Sequence, residues 1–232
     1  MLKFAAGNDP ADHAKQPVHQ KVYAQLRARV LFGDLIPGQP VTLQGLVVNM
    51  NAGMTPVREA VRRLTSEGAL LMMGNRRVIV PELTSSCLDE IEFMRLSLEL
   101  ELVRRAVGRL DDGDITALEQ MDSALNKAVS RGDISGYLSS NYHFHRLLYA
   151  RAEAPILAAS VDGLWLRFGP SLRVVCGLSG TLNLPDRHLD LLRALKVRNT
   201  EQAVAAIKGD VLQGVDQIRK ALLVPSSENR FD

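Results

Sequence analysis

The stretch Thr55-Pro56-Val57-Arg58-Glu59-Ala60-Val61-Arg62-Arg63-Leu64 decides how the first third of the chain is read. Proline is tolerated in the first turn of a helix, where its missing N–H has no intrahelical partner to lose. The spacing therefore predicts a helix opening at Thr55-Pro56, with Thr55 as its cap. Val57, Ala60, Val61 and Leu64 recur at helical spacing and form one apolar stripe. Arg58 and Arg62, four residues apart, share the opposite face.

Toward the N-terminus, Asn51-Ala52-Gly53 reads as a turn, preceded by a short helix carrying Leu43, Leu46, Val47 and Met50 and capped by Thr42. Pro37-Gly38 marks another turn, and Val22, Leu26 and Val30 describe a first helix ending near Gly33. Toward the C-terminus, the apolar stretches Leu70–Met73 and Val78–Val80 flank Gly74-Asn75-Arg76-Arg77, which predicts a β-hairpin with a basic tip. Three helices followed by such a hairpin make a winged helix-turn-helix, whose third helix enters a DNA major groove. Arginines on that helix bond guanine edges or phosphates, and a wing arginine reaches phosphate or the minor groove.

Charge agrees with this division. Between Pro17 and Pro81 eight basic residues face three acidic ones, a balance of +5 in a chain whose net charge is +2. The remainder is acidic, so the first third is the part suited to a polyanion.

From Ser86 onward the pattern is helical throughout. Ser86 and Asp114 are expected helix starts, with further helices over Ile134–Ala150, Pro155–Leu172, Pro185–Arg198 and Thr200–Leu222 joined by short loops. That is the signature of an antiparallel all-α bundle. Its informative feature is polar residues on apolar stripes. Asn141 and His145 share a face with Leu138 and Leu148, whereas His143 points roughly 200° from Asn141. Asp210 lies on the face of Ala203 and Ile207, and His188 sits one turn before Leu191 and Leu192. A buried carboxylate must be paired or bind a metal. Two imidazoles, a carboxylate and an amide oxygen suit a divalent transition metal such as zinc, nickel, manganese or iron. The same residues also suit a metal-free hydrogen-bonded cluster.

Arg95, in the stripe of Leu88, Ile91, Leu98 and Leu102, faces inward as well. Two readings stand for it: a clamp for a metabolite carboxylate, or an internal ion pair with Glu99 one turn on. Trp165, Arg167 and Arg173 are expected near the same cavity. Cys87 and Cys176 are too few for a disulfide framework and have no histidine at ligand spacing, so both are expected to be inert thiols in a reducing, cytoplasmic setting. No apolar run approaches the ~20 residues that span a bilayer, and Met1–Gln16 lacks the apolar core of a secretion leader. The expected division is a flexible tail at 1–16, a DNA-reading domain at 17–82, a helical effector and dimerisation domain at 83–225, and a tail at 226–232.

Val22–Val80 resembles the winged helix of GntR-family transcription regulators in its Pro37-Gly38 turn, the Thr55–Ala60 run, Arg62-Arg63-Leu64 and Glu67-Gly68. The resemblance implies DNA contacts from Gln44, Thr55, Arg58, Arg62, Arg76 and Arg77. It also marks departures: Gly53-Met54 replace the usual Ser-Arg, Gln44 replaces an arginine, and Arg77 replaces a wing glycine. Ser86–Leu223 resembles the FCD effector domain of the FadR-type branch. In that domain an Asp and a His four apart, followed by two further His, hold a metal. Those positions fall on Asn141, His145, His188 and Asp210, so the one carboxylate has moved from the first position to the last. The resemblance implies a homodimer that binds a pseudo-palindromic double-stranded operator and responds, as a repressor, to a small organic acid. A metalloenzyme with an accessory DNA-binding domain is the competing reading. Against it, no separate inward Glu or His is evident as a general base.

Overall fold

The computed structural model describes residues 17–179 and 187–223. The expected tails at 1–16 and 226–232, the expected helix start at Pro185, and the side chains of Arg76 and Cys176 lie outside the described set. Helix α1 covers Val18–Leu31, strand β1 Val41–Thr42, α2 Leu43–Asn49 and α3 Met54–Ser66. The wing comprises β2, Leu71–Met72, and β3, Arg77–Ile79, joined through a 3-10 turn at Gly74–Arg76. Six longer helices follow: α4 Ser85–Val107, α5 Asp112–Ser130, α6 Ile134–Ala150, α7 Pro155–Ser179, α8 Arg187–Lys196 and α9 Thr200–Leu222.

Local chemistry explains most boundaries. Thr42 caps α2 by accepting from the Gly45 N–H at 2.9 Å, and Asp133 caps α6 through Gly136 N at 2.9 Å. Asn199 caps α9 through Gln202 N at 3.0 Å. Each bond satisfies one of the donors a helix leaves open at its start. Three expected starts move. Helix α3 begins at Met54 behind Gly53, whose carbonyl accepts from Val57 N, so Thr55 lies inside the first turn and does not cap it. Thr84, not Ser86, caps α4 through Cys87 N. Asp111 and Asp114 exchange bonds in a reciprocal capping box, so α5 starts two residues before Asp114. Helix α7 continues past Leu172 with Pro170 inside it. The lost backbone bond there costs about 3 kcal/mol, offset by burial of Trp165, Leu166, Phe168 and Leu172 on either side.

The sheet has the order β1-β3-β2 and is antiparallel, with Val41 opposite Val78 and Met72 opposite that same valine. Strand β1 therefore buttresses the hairpin. Val22, Leu26 and Val30 of α1 and Leu43 and Leu46 of α2 bury against the stripe Val57, Ala60, Val61 and Leu64 of α3. In the bundle, α4 packs on α9, α5 on α6 and α8 on α9. Helix α7 touches α4, α6 and α9 on one side and α1 on the other, so the buried apolar cluster runs unbroken between the two halves.

Candidate functional sites: an arginine face and a buried histidine–aspartate cluster

Gln44, Thr55, Arg58, Arg62 and Arg77 are all exposed. Among the described residues the side chains of Arg58 and Arg77 enter no ion pair or hydrogen bond, and that of Arg62 has only a solvent-exposed contact with Glu59 at 3.2 Å. Exposed pairs of that kind hold weakly, so the guanidinium is readily given up to a phosphate or base. The free cationic surface is narrower than the charge count implies. Arg63 stacks 3.7 Å over the Tyr23 ring and bonds Glu67, Arg29 lies 3.8 Å from Asp34, and Arg27 is bound to Asp162 of α7 at 2.6 Å.

Inside the bundle, the ligating atoms of His145, His188 and Asp210 all lie within 4.8 Å of one another. His145 Nε2 is 3.3 Å from Asp210 Oδ2, and His188 Nε2 is 3.8 Å from Asp210 Oδ1. Asn141 is buried one turn before His145. Both imidazoles are oriented from behind. His188 Nδ1 lies 3.2 Å from Asp122 Oδ1, and its ring stacks on Phe144 with centroids 4.0 Å apart. His145 Nδ1 lies 3.0 Å from the Tyr149 hydroxyl, which donates to Glu99. Burial and then the Glu99 carboxylate push the Tyr149 phenol well above its ordinary pKa, so it keeps its proton.

These partners assign the tautomers. A carboxylate only accepts, so His188 Nδ1 carries its hydrogen toward Asp122. The Tyr149 proton is committed to Glu99, so His145 Nδ1 donates to the tyrosine oxygen. In those tautomers the Nε2 atoms of His145 and His188 are the ring atoms turned toward Asp210, and His145 Nε2 is buried without a hydrogen bond. Burial raises the Asp210 pKa, but nearby positive charge outweighs it and holds the carboxyl below its ordinary range. Without a metal that charge comes from His145, His188 and Arg95, and a bound cation would supply it with the imidazoles neutral. Two lone pairs and an anion converging on one point are stabilised by a cation placed among them. The donor set, with a carboxylate behind one imidazole, fits a divalent metal.

Arg95 is buried at 3% exposure beside a fully buried Glu99, with Nε to Oε1 at 2.5 Å and Nη2 to Oε2 at 3.2 Å. Its guanidinium also lies 4.0 Å from the Phe168 ring centre. The internal ion pair is therefore formed. Removing one member strands the other charge, so Arg95→Ala is expected to destabilise the fold by about 3–5 kcal/mol. Arg95→Met paired with Glu99→Gln, which keeps an acceptor for Tyr149, is expected to recover most of that loss. Urea unfolding of the single and double variants checks this.

Trp165 borders the cluster, with its ring centre 5.3 Å from that of His145. Arg167 and Arg173 do not; they cover Gly68 and Gly33 of the DNA-reading half. Asp122 was not anticipated, although Leu118 and Leu125 place it on a buried stripe by the pattern that exposed Asn141 and His145. The groove between α5 and α8 beside it, about 500 Å³, is lined by Asp122, Asn126 and Leu192.

A winged helix-turn-helix with an exposed arginine face, joined to a helical bundle with a polar interior, defines a DNA-binding regulator. Residues 18–80 match the family described as bacterial regulatory proteins, gntR family, and residues 90–211 match the FCD domain. The chain belongs to the GntR family and carries an FCD domain. The HTH-type transcriptional regulator McbR of Escherichia coli (strain K12) is 33% identical over 185 residues, covering 78% of this chain and 83% of that protein. The HTH-type transcriptional repressor RspR of the same organism is 26% identical over 216 residues, covering 88% and 92%. The solved structure of E. coli McbR/YncC superposes with a TM-score of 0.82 at 29% identity, over 88% of this chain and 98% of that one. A GntR regulator from Rhodococcus sp. RHA1 shares the fold at TM-score 0.73 and 20% identity, over 88% and 98%. The relatives are named transcription regulators, and the protein is a DNA-binding regulator rather than an enzyme. No helix of the described residues is long and apolar enough to cross a membrane.

Proposed function

We propose that the protein is a homodimeric repressor whose bundle binds a divalent metal through His145, His188 and Asp210, with Asn141 beside them, and takes up a small carboxylate metabolite there. The observation that carries this reading is the convergence of the ligating atoms of His145, His188 and Asp210 within 4.8 Å of one another, with His145 Nε2 buried. When bound, the ion supplies positive charge and open positions for carboxylate oxygens. Arg95, fixed by Glu99, adds charge behind the site. Two DNA-reading domains related by a two-fold then address two half-sites, with Gln44, Thr55, Arg58, Arg62, Arg76 and Arg77 at the duplex. That the relative RspR is a transcriptional repressor favours repression. A metabolite switches such a protein only by binding one domain placement better than another.

The test is a thermal-shift screen of organic and sugar acids, each with and without zinc, nickel, manganese or ferrous iron. A ligand that binds only the folded chain raises the midpoint by mass action. The reading expects at least one acid whose shift requires metal; no shift with any metal, alone or combined, counts against it. Asp122→Asn, which weakens the carboxylate holding His188, is expected to lower metal affinity about 10–100-fold without unfolding the chain. Competition against a chromophoric chelator reads this directly.

A further inference from the structure

Arg27, one of the eight basic residues of the first third, is bound to the bundle. From α1 it donates to Asp162 Oδ2 on α7 at 2.6 Å and to the Tyr142 hydroxyl on α6 at 3.2 Å. Tyr142 in turn donates to the other oxygen of Asp162. The three side chains close a ring of hydrogen bonds joining the DNA-reading half to two helices of the bundle. Helix α7 grips the same half at two more places. Gly33 and Gly68 both have a φ of +75°, which favours glycine, and α7 side chains lie directly on them. A β-carbon at Gly33 would sit 2.7 Å from Arg173 Cδ, and one at Gly68 2.6 Å from Arg167 Nη2.

The inward side of α7 meets the histidine cluster. Trp165, 4% exposed, has its ring centre 5.6 Å from Tyr142 and 5.3 Å from His145. Its neighbour Phe168 carries the Arg95 guanidinium. A single indole thus stands between a ligand-facing imidazole and a member of the interdomain ring. Packed interiors leave such a ring no room to absorb a displacement, so a shift at His145 is passed on.

We infer that Arg27, Tyr142 and Asp162 form a latch that sets the placement of the DNA-reading domain, and that α7, through Trp165, makes the latch sensitive to what occupies the buried cluster. This rests on the regulator reading above. These are positioning residues: they touch neither the duplex nor the ligand atoms.

Hydrogen exchange followed by mass spectrometry on the full chain, with zinc as the probe, tests it. In the wild type, zinc slows exchange in α6 and α9 and also changes it in α1. In Arg27→Met and in Asp162→Ala the response of α6 and α9 persists while that of α1 falls to under about a third; Asp162→Glu restores it. A merely structural contact would loosen α1 yet leave its zinc response intact, and that result overturns the latch. So does a wild type in which zinc protects α6 and α9 and leaves α1 unchanged. If zinc changes nothing in α6 or α9, the metal reading fails separately and the zinc-free comparison decides. There Arg27→Met must speed exchange about tenfold both in α1 and in residues 164–172 of α7; an unaltered α7 refutes the coupling.

Discussion

Replacing Arg58 and Arg62 together by alanine is expected to remove sequence-specific duplex binding while leaving the fold intact. Both lie on the exposed face of α3, opposite Val57, Ala60, Val61 and Leu64, so their loss creates no cavity. The side chain of Arg58 enters no ion pair or hydrogen bond among the described residues, and the pairing of Arg62 with Glu59 is exposed. Each bidentate base contact contributes about 1–3 kcal/mol. The pair then accounts for roughly thirty-fold to twenty-thousand-fold in affinity for a duplex selected from a random pool. Gel-shift titration against that duplex reads the loss, and the single variants separate base from phosphate contact. A residue on phosphate lowers affinity on all sequences and reduces the salt slope by about one. Unchanged binding by the double variant would remove α3 from the groove.

The second large effect is expected at the buried cluster. His145→Ala with His188→Ala removes two of three close donors and leaves Asp210 without the imidazoles that offset its burial. Loss of a ligand exceeds the ~10–100-fold cost of losing an outer partner, so metal affinity is expected to fall by more than about 100-fold. The metal-dependent acid response should disappear with it. Because metal binding displaces protons from its ligands, wild-type affinity is also expected to weaken as pH is lowered. Calorimetric titration with zinc at two pH values checks both outcomes. Full retention of metal by the double variant would show that the ion sits elsewhere.

How far the chain could be read from sequence depended on how local each determinant is. Helices α6 and α9 appear with the expected limits because Asp133 and Asn199 stand just before their apolar stripes and cap them. The start of α4 was displaced because Thr84, Ser85 and Ser86 are all capable caps, and only packing selects Thr84. Strand β1 is two residues long and exists through pairing with β3, a contact 35 or more residues away that no local pattern announces. At the site, the inward faces of Asn141, His145, His188 and Arg95 were legible because each interrupts an apolar stripe. Asp122 offered the same signal and was passed over. Tyr149 was not legible as a partner of His145, since a tyrosine on an apolar face is ordinary core. Arg27 counted in the sequence only as one of eight basic residues in a charge balance, and counting charge along the chain cannot say which cations the bundle takes for itself.

The claim on which the regulatory reading stands is that His145, His188 and Asp210 hold a cation. It is tested most directly by plasma mass spectrometry of the full chain after exposure to zinc, nickel, manganese and ferrous iron in turn, followed by removal of unbound ions. The expected result is about one ion per chain for at least one of these metals. A chain that retains none of them, with its fold intact by circular dichroism, would contradict it.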